Sequence, residues 1–232
     1  MKKTLMEEIG QKRTLSIRQK RNMAYFVEAT EKILQKEGLG GVTIRRVAAE
    51  AGYNSATLYN YFQDLDDLIL FGSVCYLREY LVDLAHELQP GMDSLERYRT
   101  IYRCFNNHAF QAPEIFYNMF FGKYSHRLED VIQTYYLELF PEELKELPED
   151  ARQMVLRGNL AERDQVVMQH MVEDGFVEGS RAAETLEIIV ALHESYIHKA
   201  YLANCKESIE TLRKGFRHIF EYVLAQARPA QP

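Results

Sequence analysis

The twenty residues Thr43–Phe62, TIRRVAAEAGYNSATLYNYF, constrain this chain more than any other stretch. Thr43 has the chemistry of an N-cap, its hydroxyl able to accept from the backbone N–H of Arg45 or Arg46. Val42 and Val47 then fall at the two ends of a hydrophobic staple. Ile44, Val47, Ala48 and Ala51 recur at helical spacing and give a short helix one apolar face. Gly52 follows where a left-handed residue is needed to stop it. Asn54 caps a second helix, and Tyr53 and Leu58 repeat the staple spacing. The stretch therefore predicts two short helices joined by a tight glycine turn, with Leu58, Tyr61 and Phe62 along the inner edge of the second.

That packing leaves Ser55, Thr57, Tyr59 and Asn60 facing outward. Ser55, Thr57 and Asn60 are short groups that hydrogen-bond to base edges, and the Thr57 methyl suits a thymine methyl. Tyr59 and Thr43, with the helix N-termini, suit phosphate oxygens, and Tyr53 suits either role. Arg45, Asn54 and Tyr61 complete the candidate DNA-binding set. A solvated polar helix face is the alternative reading of the same residues.

The pattern from about Arg18 to Leu70 resembles the TetR/AcrR family of bacterial transcriptional regulators. Thr43, Val47, Ala48, Ala51, Gly52, Leu58, Tyr59, Phe62 and Leu68 carry the resemblance at fixed offsets. It covers about a quarter of the chain. It implies an all-α protein with an N-terminal three-helix helix-turn-helix domain and a C-terminal helical domain for ligand binding and dimerisation. It further implies a homodimer on a palindromic double-stranded operator, normally a repressor, released by an unknown small apolar or amphipathic effector. One position departs from the family. Where the family usually has a phosphate-contacting lysine at the start of the fourth helix, this chain has Leu65 preceded by Asp64. Asp66 and Asp67 match the usual acidic positions, and Asp64 is a plausible cap.

Charge supports a DNA-binding end. The net charge is −6, but residues 1–62 hold 11 Lys/Arg against 6 Asp/Glu, and residues 63–232 hold 17 against 28. A basic head on an acidic body is the footprint of a module that meets DNA with one end. Cys75, Cys104 and Cys205 form no CxxC and imply no disulfide framework, which fits a cytoplasmic location. Neither a signal peptide nor a membrane span is expected.

Three domains are expected: a basic flexible arm over 1–17, the helix-turn-helix domain over 18–64, and a helical regulatory and dimerisation domain over 65–228. The first helix runs from about Ser16 to Glu37, with Met23, Phe26, Val27, Thr30, Ile33 and Leu34 inward and Gly38 as its stop. A long apolar helix from about Leu65 to Leu88 connects head to body. Further helices are expected over about 93–111, 113–122 and 128–140, then one from Pro148 to Asp174, possibly broken near Gly158. Two long helices, about 180–204 and 206–227, close the chain. By resemblance, Leu212, Phe216, Ile219, Phe220 and Val223 form the dimer interface, although packing within one chain would also satisfy that stripe.

The aromatic-rich stretch from Phe105 to Tyr124 suggests a ligand cavity. Phe105, His108, Phe116, Phe120, Tyr124, His170, His193 and Tyr196 are its candidate lining, with plain core packing as the alternative. His126/Asp130, His170/Asp174 and Glu194/His198 sit four residues apart, but no second motif completes a metal shell. No Walker loop, GxGxxG or GxSxG elbow occurs, so neither catalysis nor a cofactor is expected. Two further functions remain open at this level. One is a DNA-bound adaptor controlled by a protein partner, and the other a metal-dependent enzyme on a helical bundle.

Overall fold

The computed structural model describes residues 15–146, 156, 160–202 and 208–229. Most of the basic arm, the helix entry at Pro148–Asp150, the expected break at Gly158, Cys205 and the end of the chain lie outside the described residues. All regular structure among the described residues is helical.

The head is built from α1 (Ile17–Glu37), α2 (Ile44–Glu50) and α3 (Ser55–Leu58). Ser16 caps α1 with a capping box: its hydroxyl accepts from the Gln19 N–H, and the Gln19 side chain accepts from the Ser16 N–H. Gly38 ends the helix at φ 67°. Thr43 caps α2 through Arg46 N–H, and Gly52 makes the turn at φ 76°, a conformation that costs a Cβ-bearing residue strain. Asn54 caps α3 through Thr57 N–H. Met23, Phe26, Val27, Val47, Ala48, Leu58 and Phe62 are buried together as the head's core.

The connecting rod is two helices rather than one: α4 (Leu65–Gly72) and α5 (Val74–Glu87). The expected single helix over 65–88 breaks at Ser73, whose hydroxyl donates to Ile69 O at 2.7 Å. Such back-bonding competes with the helix ladder, and a Gly-Ser pair is a common kink site. Gly72 lies close against α1. A Cβ there would stand 2.5 Å from Thr30 Cγ2.

The body comprises α6 (Ser94–Ala109), α7 (Pro113–Phe121), α8 (Leu128–Gln133), α9 (Pro141–Glu146), α10 (Leu160–Glu173), α11 (Ala182–Tyr201) and α12 (Ile209–Gln226). Asp93 caps α6 and Pro113 opens α7, as their residue types dictate. The helix expected over 128–140 is α-helical only to Gln133. Thr134–Leu139 is a π-helical turn, closed by Phe140 N–H to Tyr135 O at 2.7 Å. In this wider turn Tyr135 and Tyr136 are both fully buried although they are neighbours in sequence.

Candidate nucleic-acid interface and its junction with the body

The outer face of the head presents Thr43, Arg45, Tyr59 and Asn60, all exposed. Tyr59 is 51% exposed, a large ring with no core role. Ser55 and Thr57 are half-buried beside them. Asn54 uses its side chain internally, accepting from Thr57 N–H at 2.9 Å and from the Thr57 hydroxyl at 3.0 Å. Arg46 is committed to Glu37 and to Gly41 O, which leaves Arg45 as the outward cation of α2.

Two of the expected contact residues are placed differently. Tyr61 is buried and its hydroxyl accepts from Asn22 Nδ2 at 2.8 Å. Tyr53 is half-buried against Phe26, with ring centroids 5.2 Å apart, and donates to Asn22 Oδ1 at 2.8 Å. Tyr61 therefore faces the core rather than the outer surface. Asn22 of α1 joins the residues on either side of α3 and fixes its angle to the brace helix. Nothing in local sequence signals this, because Asn22 is a polar residue on a helix flank until the fold brings it across.

Behind α3 the head meets the body through charge. Asp64, the N-cap of α4, accepts from Lys123 at 2.9 Å and from the Tyr124 hydroxyl at 2.8 Å. Burial pushes the Asp64 carboxyl up, but the hydrogen bonds from Lys123, the Asp67 N–H and Tyr124 outweigh it and leave it below its ordinary value. Asp67 is fully buried. It takes Arg127 at 2.8 Å on one oxygen and the Gln63 N–H at 2.9 Å on the other. Burial pushes Asp67 above its ordinary value, opposed by the Gln63 N–H and Arg127. A second contact joins α1 to the π turn: Tyr135 donates to Glu31 at 2.9 Å and lies 3.2 Å from Glu143. Burial pushes Glu31 up to about 7.

The expected ligand residues divide. Phe105, Phe116, Phe120, His193 and Tyr196 are buried in one aromatic cluster, Phe105 standing 5.6 Å from Phe120 and 5.4 Å from His193. His193 stacks on Tyr102 at 4.5 Å, and burial pushes its imidazole down to about 3, so it is neutral. Tyr124 belongs to the junction, not to this cluster. His108 turns to Asp83 at 2.9 Å on the surface, and His170 is exposed. A small cavity of about 20 Å³ lies among Tyr80, Ile101, Tyr102, Phe105, Arg163, Asp164 and Val167. Arg163 and Asp164 escaped the sequence reading because an adjacent charged pair on a helix looks solvated, yet both are buried here. Among the described residues no group of three or more His, Cys, Asp or Glu side chains is arranged to hold a metal. No helix among them is long and apolar enough to cross a membrane.

The stripe expected at a dimer interface also divides. Leu212, Phe216 and Phe220 are buried within their own chain, Phe220 stacked on Tyr98 at 5.6 Å and Phe216 4.4 Å from His193. They complete the aromatic core, so they are not free to face a partner. Ile219, 38% exposed, and the partly buried Val223 lie on the outer side, beside Tyr222 at 63%.

Residues 26–70 match the model of the bacterial regulatory proteins of the tetR family. Residues 26–70 thus carry the N-terminal domain of the tetR family. Solved TetR-family structures share its fold along nearly the whole chain. FadR of Thermus thermophilus, a transcriptional repressor in complex with lauroyl-CoA, is 15% identical with a TM-score of 0.57 and covers 90% of this chain and 96% of its own. RolR in complex with resorcinol is 16% identical with a TM-score of 0.51, covering 91% of this chain and 95% of its own. A regulator from Mesorhizobium loti is 13% identical with a TM-score of 0.50, covering 90% and 98%. No curated protein matches the chain significantly. Residues 26–70 end within α4, so the matched segment includes the junction carboxylates Asp64 and Asp67 but none of their body partners.

Proposed function

We propose that this TetR-family protein is a cytoplasmic repressor that binds a palindromic operator as a homodimer and is released by a small apolar or amphipathic effector in its aromatic body. The supporting observation is the path of α7. Phe116 and Phe120 on its inner side pack on Phe105 beside the cavity. The same helix then leads through Gly122 into Lys123 and Tyr124, which hold the cap of α4 directly after the recognition segment. An occupant that displaces α7 thereby acts on the head. Paired heads must meet grooves one turn apart or a multiple of it, about 34 Å per turn, so a small rotation lowers affinity steeply. The effect requires an effector that binds the released state better than the DNA-bound one. FadR and RolR, which share the fold, are solved in complex with lauroyl-CoA and resorcinol, which supports a small-molecule effector.

In this reading Arg45, Tyr59 and Thr43 hold phosphates, while Ser55, Thr57 and Asn60 read bases. Ile219, Tyr222 and Val223 are the proposed outer contacts of the dimer. Fluorescence anisotropy with promoter fragments, from low to physiological salt, tests the reading. Specific binding that weakens in Tyr59→Phe and Asn60→Ala supports it. Equal affinity for all fragments in dilute buffer, or a monomer on the operator by sedimentation, refutes it.

A further inference from the structure

We propose that the body cavity takes a protonated organic amine on a flat apolar group, with the Asp164 carboxylate as its counter-ion. The proposal rests on the effector reading above and specifies its chemistry.

Asp164 is 5% exposed, lines the cavity, and its Oδ2 has no hydrogen-bond partner among the described residues. A buried polar atom left unpaired costs free energy, and native proteins seldom leave one without a role. Burial alone holds this carboxyl well above its ordinary value. The cavity walls supply the rings of Tyr80, Tyr102 and Phe105. Ring faces attract a cation by their quadrupole, and more strongly when it is desolvated. A carboxyl group inside an aromatic enclosure is therefore matched by an ammonium. Arg163 lines the same cavity, with its guanidinium carbon 5.6 Å from the Phe120 ring, toward α7. Adjacent helical residues point roughly 100° apart, which separates the two side chains. In the empty protein the cavity of about 20 Å³ holds about one water, so an amine enters by widening the space between α6 and α10.

Entry of the ammonium leaves Asp164 ionised, and its proton goes to solvent. No bond other than that O–H breaks. The other groups facing this point hold their charge near neutral pH. Burial pushes Arg163 on α10 down only to about 10, and His193 on α11 down to about 3. Tyr80 on α5 and Tyr98 on α6 are pushed up by burial and stay neutral.

Benzylammonium, benzyl alcohol and benzoate are three probes of similar shape and different charge. Calorimetry on the full chain, in two buffers of different ionisation enthalpy, reads both affinity and proton release. Benzylammonium is expected to bind best, with release approaching one proton. Its affinity should rise with pH, by at most about tenfold per unit for one proton released. Asp164→Asn mimics the protonated acid, so it should fold. It should lose at least about tenfold in amine affinity and all proton release. Benzoate or benzyl alcohol binding as tightly as the amine to the native chain overturns the proposal without any variant. So does amine binding without proton release, unchanged affinity in Asp164→Asn, or no binding of any probe. Release of operator DNA by an anionic or neutral compound would overturn the amine while preserving the effector reading. That broader reading fails only if no small molecule alters operator affinity.

Discussion

Replacing Arg127 with Met tests the junction between head and body most directly. The variant keeps an aliphatic stem but removes the cation from a carboxylate that is fully buried. Asp67 then retains only the Gln63 N–H at 2.9 Å. Breaking a buried pair on one side typically costs 3–5 kcal/mol; Arg127 is 13% exposed, so about 3 kcal/mol is expected. For a chain of this size that is a fall in Tm of about 6–12 °C. The loss depends on pH in a definite direction. Without Arg127 the folded-state pKa of Asp67, already raised, climbs further above the unfolded value of about 3.9. A raised folded pKa contributes stability below the unfolded pKa that disappears as pH rises. The deficit relative to the native chain should therefore be larger at pH 8 than at about pH 5. Adding Asp67→Asn to the variant removes the stranded charge and should restore most of the loss. Thermal unfolding of the three chains at both pH values measures this. A Tm within about 2 °C of the native chain at pH 8, a deficit independent of pH, or no recovery in the double variant would refute the reasoning.

Three other outcomes follow from the same structure. Arg45→Ala should weaken operator binding across sequences and reduce the salt slope by about one unit, measured as log affinity against log salt. Gly72→Ala places a methyl 2.5 Å from Thr30 Cγ2 and should destabilise the chain by about 1–3 kcal/mol in urea; Gly72→Ala with Thr30→Ser should recover part of it. Glu31 has its pKa raised to about 7, so its favourable contribution is complete below the unfolded value and is lost as pH rises through 7. Glu31→Gln should match the native chain near pH 4 and exceed it by about 1–3 kcal/mol at pH 8, measured by denaturation at each pH.

The sequence revealed what depends on a few neighbouring residues. Thr43, Asn54, Asp64 and Asp93 all act as caps, and Gly38 and Gly52 end helices as their positions required. These motifs span four residues, so they are visible without the fold. The break at Ser73 was not, because a run of apolar residues hides it and its setting is the approach of Gly72 to Thr30 across 42 positions. The π turn was equally hidden, since Tyr135 reaches Glu31 over 104 positions. Tyr124 read as a cavity residue because aromatic density is a local property, whereas its partner Asp64 is 60 residues away. Helical periodicity identified the inner stripe of α12 correctly as apolar. It had no means of distinguishing that chain's own core from a second subunit, and Leu212, Phe216 and Phe220 belong to the core.

The interruption at Ser73 makes the shaft between the two halves a jointed one. A shaft with a joint carries twist badly from end to end, so a push arriving along α5 would be absorbed at the elbow. The side struts, Lys123 and Arg127, bypass that elbow and grip α4 on its far side, near the tip. Under the proposed release mechanism, leverage on the head would be applied crosswise, with the short segment Leu65–Gly72 as the lever arm.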